Sequence, residues 1–394
     1  MKLFKNTFFN KHTILITILV YVVMTVSSWI PFNFKALNPF KKSLKDYDAT
    51  DIVFSQFKDK NAVFDDRIVL VNVGKPDRQE INSMVNIIQG YQPSVIGIDI
   101  HFEDFNKTQI DTTLRNTFIK SKVILSKRLV DFDKKSGEFL NLEGCHDFFC
   151  DSTEIAFTNF YARPDMTIRR FSPVEKVNSK YVYGIGTALA ISYDPSVEEA
   201  IRKRSTIENI NYIGDKDAFI NVDKSQILEG KQNLQETFRN KIVILGYLGA
   251  DEWTESVNDK FITPMGTKLA SKYNPDMYGV TIHANIAHMI LEGEYINKLS
   301  KINRAIVNFI LILLLVVTFN KIYNTINPGY FKIIKVIQLL LFAVLFLIVS
   351  GVLYFFNLKL ELGVGIIGAV LSWDVVKWYN YLYIKRQKFF KSKK

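Results

Sequence analysis

Apolar runs stand near both ends of this chain, and they constrain it more than any other feature. Residues 14–30 carry no charge; at about 1.5 Å rise per residue, a helix of that length just crosses a bilayer core. Three more runs follow residue 300: 302–319, with an unbroken aliphatic centre at 310–317; 336–356, without charge; and a less apolar stretch, 362–383, carrying Asp374 and Lys377. The reading is four transmembrane helices, one N-terminal (13–30) and three C-terminal (301–320, 333–356 and 360–383).

Basic residues orient them. Lys2, Lys5 and Lys11 precede the first run, Lys321, Lys332 and Lys335 lie between the second and third, and six Lys or Arg fill residues 385–394. The turn between the third and fourth is near neutral, with Lys359 and Glu361. Positive charge stays inside, so residues 1–12 and the tail 384–394 are expected in the cytoplasm and residues 31–300 outside it. Trp373, Trp378, Tyr379, Tyr381 and Tyr383 crowd the end of the last run, where amphipathic rings favour the headgroup zone. A cleaved signal peptide is the competing reading of the first run, with Val26 and Ser28 before a cut at Trp29; it too puts residue 31 onward outside. The expected location is a bacterial inner membrane, with the large domain periplasmic or extracellular. The net charge of +11 is concentrated beside the apolar runs. It speaks for membrane lipid as partner, and with no base-reading motif it does not speak for nucleic acid.

Between the anchors the periodicity changes. Residues 67–73 read as a strand, 77–90 as a helix with Ile81, Met84, Val85 and Ile88 on one face, 94–100 as a strand, 109–119 as a helix and 123–126 as a strand. Alternation of this kind predicts a mainly parallel sheet with right-handed crossovers, hence an α/β extracytoplasmic domain. Residues 155–160 and 166–173 look like a strand pair, 181–191 a buried helix, 207–213 and 218–222 short strands, 241–246 a buried strand and 280–291 a helix.

Chemistry-bearing residues are few. Asp99, His101 and Glu103 lie at the end of the second strand, where open α/β sheets collect ligands. They fall on one side if the strand continues; they fit a ligand or metal site, but the favoured reading is a strand end whose polar groups cap the next helix or satisfy loop amides. Gly246 and Asp251 lie just after another strand, in a segment that lets a backbone approach a ligand or a helix, or simply turns. Thr263-Pro264 marks a turn, and His283 and His288 are five apart, which is no metal spacing on a helix. Cys145 and Cys150, flanking His146 and Asp147, suit a small disulfide loop or a metal site; no second ligand pair is near. Asp374 and Lys377, three apart, can pair on one helix face or contact a neighbouring helix or partner. No serine elbow, zinc-protease motif or nucleotide loop appears. No catalytic residue, metal or cofactor is therefore assigned.

Four pieces in order resemble the type-2 CHASE domain, the cyclase- and histidine-kinase-associated sensory extracellular family. They are residues 68–73, 93–102 (PSVIGIDIHF), 240–246 (NKIVILG) and 278–285 (YGVTIHAN). Asp99, Phe102, Gly246, Thr263, Pro264, Gly279, His283, Ala284 and Asn285 fill the family's pattern, and either Asp251 or Asp259 is its intervening acid. The resemblance covers roughly residues 45–295. It implies a non-enzymatic sensor; its pattern residues Asp99, Gly246, Asp251, Thr263, His283 and Asn285, with His101 and Glu103 from the strand end, are the candidate ligand-binding residues. This chain has Gly74-Lys-Pro-Asp77 where a Trp-Pro-Trp-like stretch often stands, and about ten residues follow its last run. The expectation is that it acts through a separate membrane or cytoplasmic partner, with a homodimer open. The runner-up is an accessory subunit of an envelope complex, and a metal-dependent enzyme built on Asp99, His101 and Glu103 comes third.

Overall fold

The computed structural model describes residues 10–29, 53–57, 63–162, 166–204, 207–230, 234–249, 259–266 and 275–391. Lys2, Lys5, Asp251 and the last three residues lie outside the described residues. Two units form: a helical one from residues 1–49 and 297–394, and an α/β one from residues 50–296. The helix α1 (Lys11–Trp29) belongs to the first.

The α/β unit opens with β1 (Asp65–Asn72), α2 (Arg78–Gly90), β2 (Val95–Ile98), α3 (Gln109–Ser121) and β3 (Ile124–Asp133). Both helices start on capping boxes, Asp77 with Glu80 and Thr108 with Asp111, which satisfy backbone N–H groups that have no partner within the helix. The chain continues through β4 (Glu138–Glu143), β5 (Glu154–Phe157), β6 (Tyr161–Ala162), β7 (Ile168–Phe171), β8 (Val174–Val177) and β9 (Lys180–Tyr183). Then come α4 (Ile185–Tyr193), β10 (Glu208–Asn209), β11 (Phe219–Asp223), β12 (Ile242–Gly246), β13 (Lys260–Phe261), β14 (Met277–Tyr278) and α5 (Gly279–Glu292).

The central sheet runs β11-β1-β12-β2-β3, with every neighbour parallel. Its inner strands are buried on both faces, as parallel strands under two helical layers must be. Alternation divides them: Val69, Val71, Ile96, Ile98, Val243 and Leu245 join the core with α2 and α3, while α4 and α5 cover the other face. Asp65, at the start of β1, is 4 % exposed. It accepts hydrogen bonds from Arg67 and pairs with His288 of α5 at 2.6 Å, and Arg67 also reaches Glu292. Burial alone raises the Asp65 pKa; the bonds from Arg67 and His288 outweigh it and hold the carboxyl well below its ordinary value.

Beyond the central sheet, β3 turns back antiparallel into β4, and β8 and β9 extend the ladder. Gly184, next after β9, bridges Phe157 of β5, and β5 pairs with β3. The ladder thus closes on itself around Leu129, Phe157 and Val177. The expected pairing of 155–160 with 166–173 divides accordingly. Thr158 and Asn159 bond back to β3, which ends β5 at Phe157, and the short β6 is what pairs with β7. Tyr181–Tyr183 belongs to β9 rather than to the helix, because those residues pair with β8.

The helical unit holds α1, α6 (Lys301–Thr325), α7 (Phe331–Phe356) and α8 (Gly363–Lys391), with a short parallel pair β15 (Asn297–Lys298) and β16 (Leu358–Lys359). Ile16, Val20, Ile312, Val316, Phe319, Ile334, Trp373 and Val376 form its core. Polar groups inside it join helices. The fully buried Gln338 donates to the carbonyls of Ala369 and Val370 at 2.8 and 2.7 Å, and the Asn308 amide oxygen accepts from the Gly365 N–H. Asp374 pairs with Lys335 of α7 rather than with Lys377, which is exposed. Two segments, Lys301–Thr325 and Pro328–Phe356, are long and apolar enough to cross a membrane, and Lys11–Ser27 is a shorter apolar helix.

Candidate functional site

The carboxyl ends of β1, β2, β5 and β12 and the first turns of α5 enclose a cleft of about 760 Å³, within the range of small-molecule sites. Asp99 enters it from the end of β2. Its backbone N–H still bonds Leu245 at 2.8 Å, so it keeps the strand's alternation and points to the α5 face. His283 enters from α5. Two glycines set that helix: a Cβ at Gly246 would lie 3.0 Å from the Val280 side chain, and one at Gly186 would lie 2.7 Å from the His283 carbonyl oxygen. The small residue that ends β12 therefore serves the approach of a helix.

His283 Nε2 lies 4.0 Å from Asp99 Oδ2, with side-chain exposures of 4 % and 20 %. That distance exceeds a hydrogen bond. Burial drives both groups toward neutrality: the Asp99 carboxyl is pushed up to about 7, with the charge of Asp259 adding to burial, and the His283 ring is pushed down to about 3. At neutral pH the two do not form an ion pair. Phe160 stacks on the His283 ring, centroids 4.6 Å apart, and Phe261 meets Phe160 edge-on at 5.1 Å.

His101 lines the cleft, its pKa lowered by burial and by Arg128. Because β2 ends at Ile98, the Asp99–His101–Glu103 alternation does not continue; Glu103 instead pairs with Arg128 at 2.7 Å. Thr263 is buried and donates through its N–H and hydroxyl to Asp276. Asn285 is fully buried, and its amide holds Ile213, Gly214 and Thr281. Neither of these two lines the cleft. Among the described residues no three His, Cys, Asp or Glu side chains are grouped to hold a metal. Sequence reasoning missed Phe160, Tyr247, Lys75 and Arg128, which also line the cleft. Phe160, Tyr247 and Lys75 stand in loops, where apolar periodicity carries no signal, and Arg128 is an exposed charged residue within β3.

Cys145 and Cys150 form a disulfide. Their loop is bound to the chain after β2, Phe102 donating to Gly144 and His146 donating to Phe102, both at 2.8 Å. Gly144, at φ +100°, lies against His101, where a Cβ would come within 2.7 Å of the ring. Reducing the bond should cost about 2 kcal/mol, the chain entropy of so short a loop. Amide exchange at Phe102 and His146 in the full-length protein, with and without reductant, checks this; unchanged protection would show the bond to be idle.

A family model described as the CHASE2 domain matches residues 73–319, more than half of the chain. No curated protein and no solved structure matches. The ordered motifs, the strand–helix alternation and this match agree, and the chain belongs to the CHASE2 family of sensory extracellular domains.

Proposed function

We propose that this protein is a membrane-anchored sensor whose α/β domain binds a ligand on the non-cytoplasmic side and passes the event to a separate partner protein. The cleft carries this reading: it is roomy, it opens at strand carboxyl ends, and Asp99, His101 and His283 converge on it. Membership of a family of sensory domains supports the role. The basic residues beside the apolar runs support both chain ends inside, and the packing of α1 and α8 with the two strongly apolar helices supports four spans. The domains proposed are thus an extracytoplasmic sensor of residues 31–300 between one span and three, in a bacterial inner membrane.

The relay proposed runs through α5, which contributes His283 to the cleft and precedes α6 by the eight residues Gly293 to Ser300. A ligand moves such an equilibrium only by binding one arrangement better than the other. The test is disulfide crosslinking of cysteine pairs placed in α6, α7 and α8 of the full-length protein in membranes, across a broad ligand panel. A ligand that occupies the cleft and changes the crosslinking pattern supports the sensor. Cleft ligands that leave every pattern unchanged would remove signalling from the account.

A further inference from the structure

We infer that the cleft takes a neutral polyhydroxylated ligand of sugar size, with one hydroxyl oxygen seated between Asp99 and His283. This rests on the ligand-binding reading above and adds the class of ligand.

The first ground is unused hydrogen-bonding capacity. Among the described residues, neither the Asp99 carboxyl nor the His283 ring makes a hydrogen bond, although His283 is 96 % buried by its side-chain exposure of 4 %. Buried polar groups are normally satisfied, so an unsatisfied pair lining a cleft marks a place for a ligand atom. Their 4.0 Å separation suits a single bridging atom: an oxygen about 2.8 Å from each subtends roughly a right angle between them.

The second ground is the kind of atom. The neutral imidazole offers one donor and one acceptor, and the carboxyl changes from donor to acceptor as it ionises. A hydroxyl both donates and accepts. With Asp99 ionised it donates to the carboxylate and accepts from Nε2–H. With Asp99 protonated it accepts from the acid and donates to Nε2 in the other tautomer. A carboxylate oxygen only accepts and an ammonium only donates, so each suits one of the two states.

The third ground is charge and shape. At the cleft, Lys75 and Arg128 are offset by Asp259 and by Glu103, the partner of Arg128. The balance favours neither an anion nor a cation. The rings of Phe160 and Phe261, set edge-on at 76°, give an apolar wall beside the polar pair. A sugar presents such a wall with C–H groups on its ring face and hydroxyls on its rim.

The test uses full-length protein in lipid nanodiscs and measures affinity by calorimetry. The probes are glucose, galactose, mannose and arabinose, with succinate and glycine betaine as charged comparators. The expected result is that at least one sugar binds, at least tenfold more weakly in His283→Phe and in Asp99→Leu. His283→Phe keeps the stack on Phe160 and removes the hydrogen bonds. A deoxy analogue lacking the bridging hydroxyl should bind as weakly to wild type as the sugar does to the variants. Amide exchange of β1 and β12 shows that each variant is folded. No sugar binding, or sugar affinity unchanged in both folded variants, overturns the inference. Binding of succinate or betaine in the cleft in place of sugars overturns it while leaving the sensor reading intact; silence from every probe counts against both.

Discussion

Replacing Asn285 with leucine should destabilise the α/β domain by about 3 kcal/mol, although leucine is the better helix former. Asn285 is fully buried in α5, and its side chain serves the segment before β11. The amide oxygen accepts from Ile213 N–H at 2.8 Å, and the amide nitrogen donates to the carbonyls of Gly214 and Thr281 at 3.0 and 2.9 Å. Leucine fills a similar volume but leaves a buried N–H and a carbonyl without partners, and each such group costs about 1–3 kcal/mol. Amide exchange of β1 and β12 in the full-length protein reads the effect: their slowest amides should exchange roughly 100-fold faster. A change below threefold would show that this amide does not hold the two segments together.

The second large effect is a pair of opposite pH slopes hidden in the wild-type protein. Asp99 has an ordinary pKa of 3.8 and is raised to about 7 on folding. Between those values the folded state holds a proton that the unfolded chain has lost, so this group's contribution to stability falls as pH rises. His283 goes the other way, from 6.5 to about 3. Between those values the unfolded chain holds the extra proton, so its contribution falls as pH drops. From about pH 4 to 6.5 the two slopes cancel, each being about 1.4 kcal/mol per pH unit. Asp99→Asn removes the carboxyl slope, so this variant should lose stability relative to wild type as pH is lowered from about 7 to 4. His283→Phe removes the histidine slope, so it should lose stability relative to wild type as pH is raised from about 4 to 6.5. Asp259, His101 and Arg128 line the cleft beside the pair in all three proteins, and Asp259 adds to the Asp99 shift in wild type and in His283→Phe. Exchange-derived stabilities between pH 4 and 8 are the measurement. Parallel curves for both variants would mean that the pair is not held neutral by burial.

The central sheet was largely legible in the sequence. Ile68–Val73, Val95–Ile98 and Ile242–Gly246 are apolar on both faces, and the Ile81, Met84, Val85, Ile88 spacing marks the helix between the first two. What the sequence could not show is that β12, the last of these strands in the chain, inserts between β1 and β2. Strand order depends on contacts between distant segments, which local periodicity does not report. The closed ladder from β3 to β9 was hidden for the same reason, its closure resting on the bridge between Phe157 and Gly184.

The site was legible in part. Asp99 was singled out from its place at a strand end and His283 from the family pattern, and the fold brings them within 4.0 Å. Thr263 and Asn285 were singled out beside them, yet their polar atoms are taken up by Asp276 and by the Ile213–Gly214 backbone. Sequence alone cannot separate a polar residue that binds a ligand from one that binds its own chain, because both need the same chemistry. Phe160 gave no sign at all, since its role depends on the turn that Thr158 and Asn159 impose after β5.

The most direct test of the account is amide exchange in the full-length protein in nanodiscs, with and without the four neutral sugars. It would be followed at three separate segments, Asp99–Phe102, the residues around Tyr247, and Gly279–His283. One sugar should slow exchange at all three together in wild type and at none of them in His283→Phe. Exchange that stays unchanged at all three, or protection confined to other parts of the chain, would contradict the account.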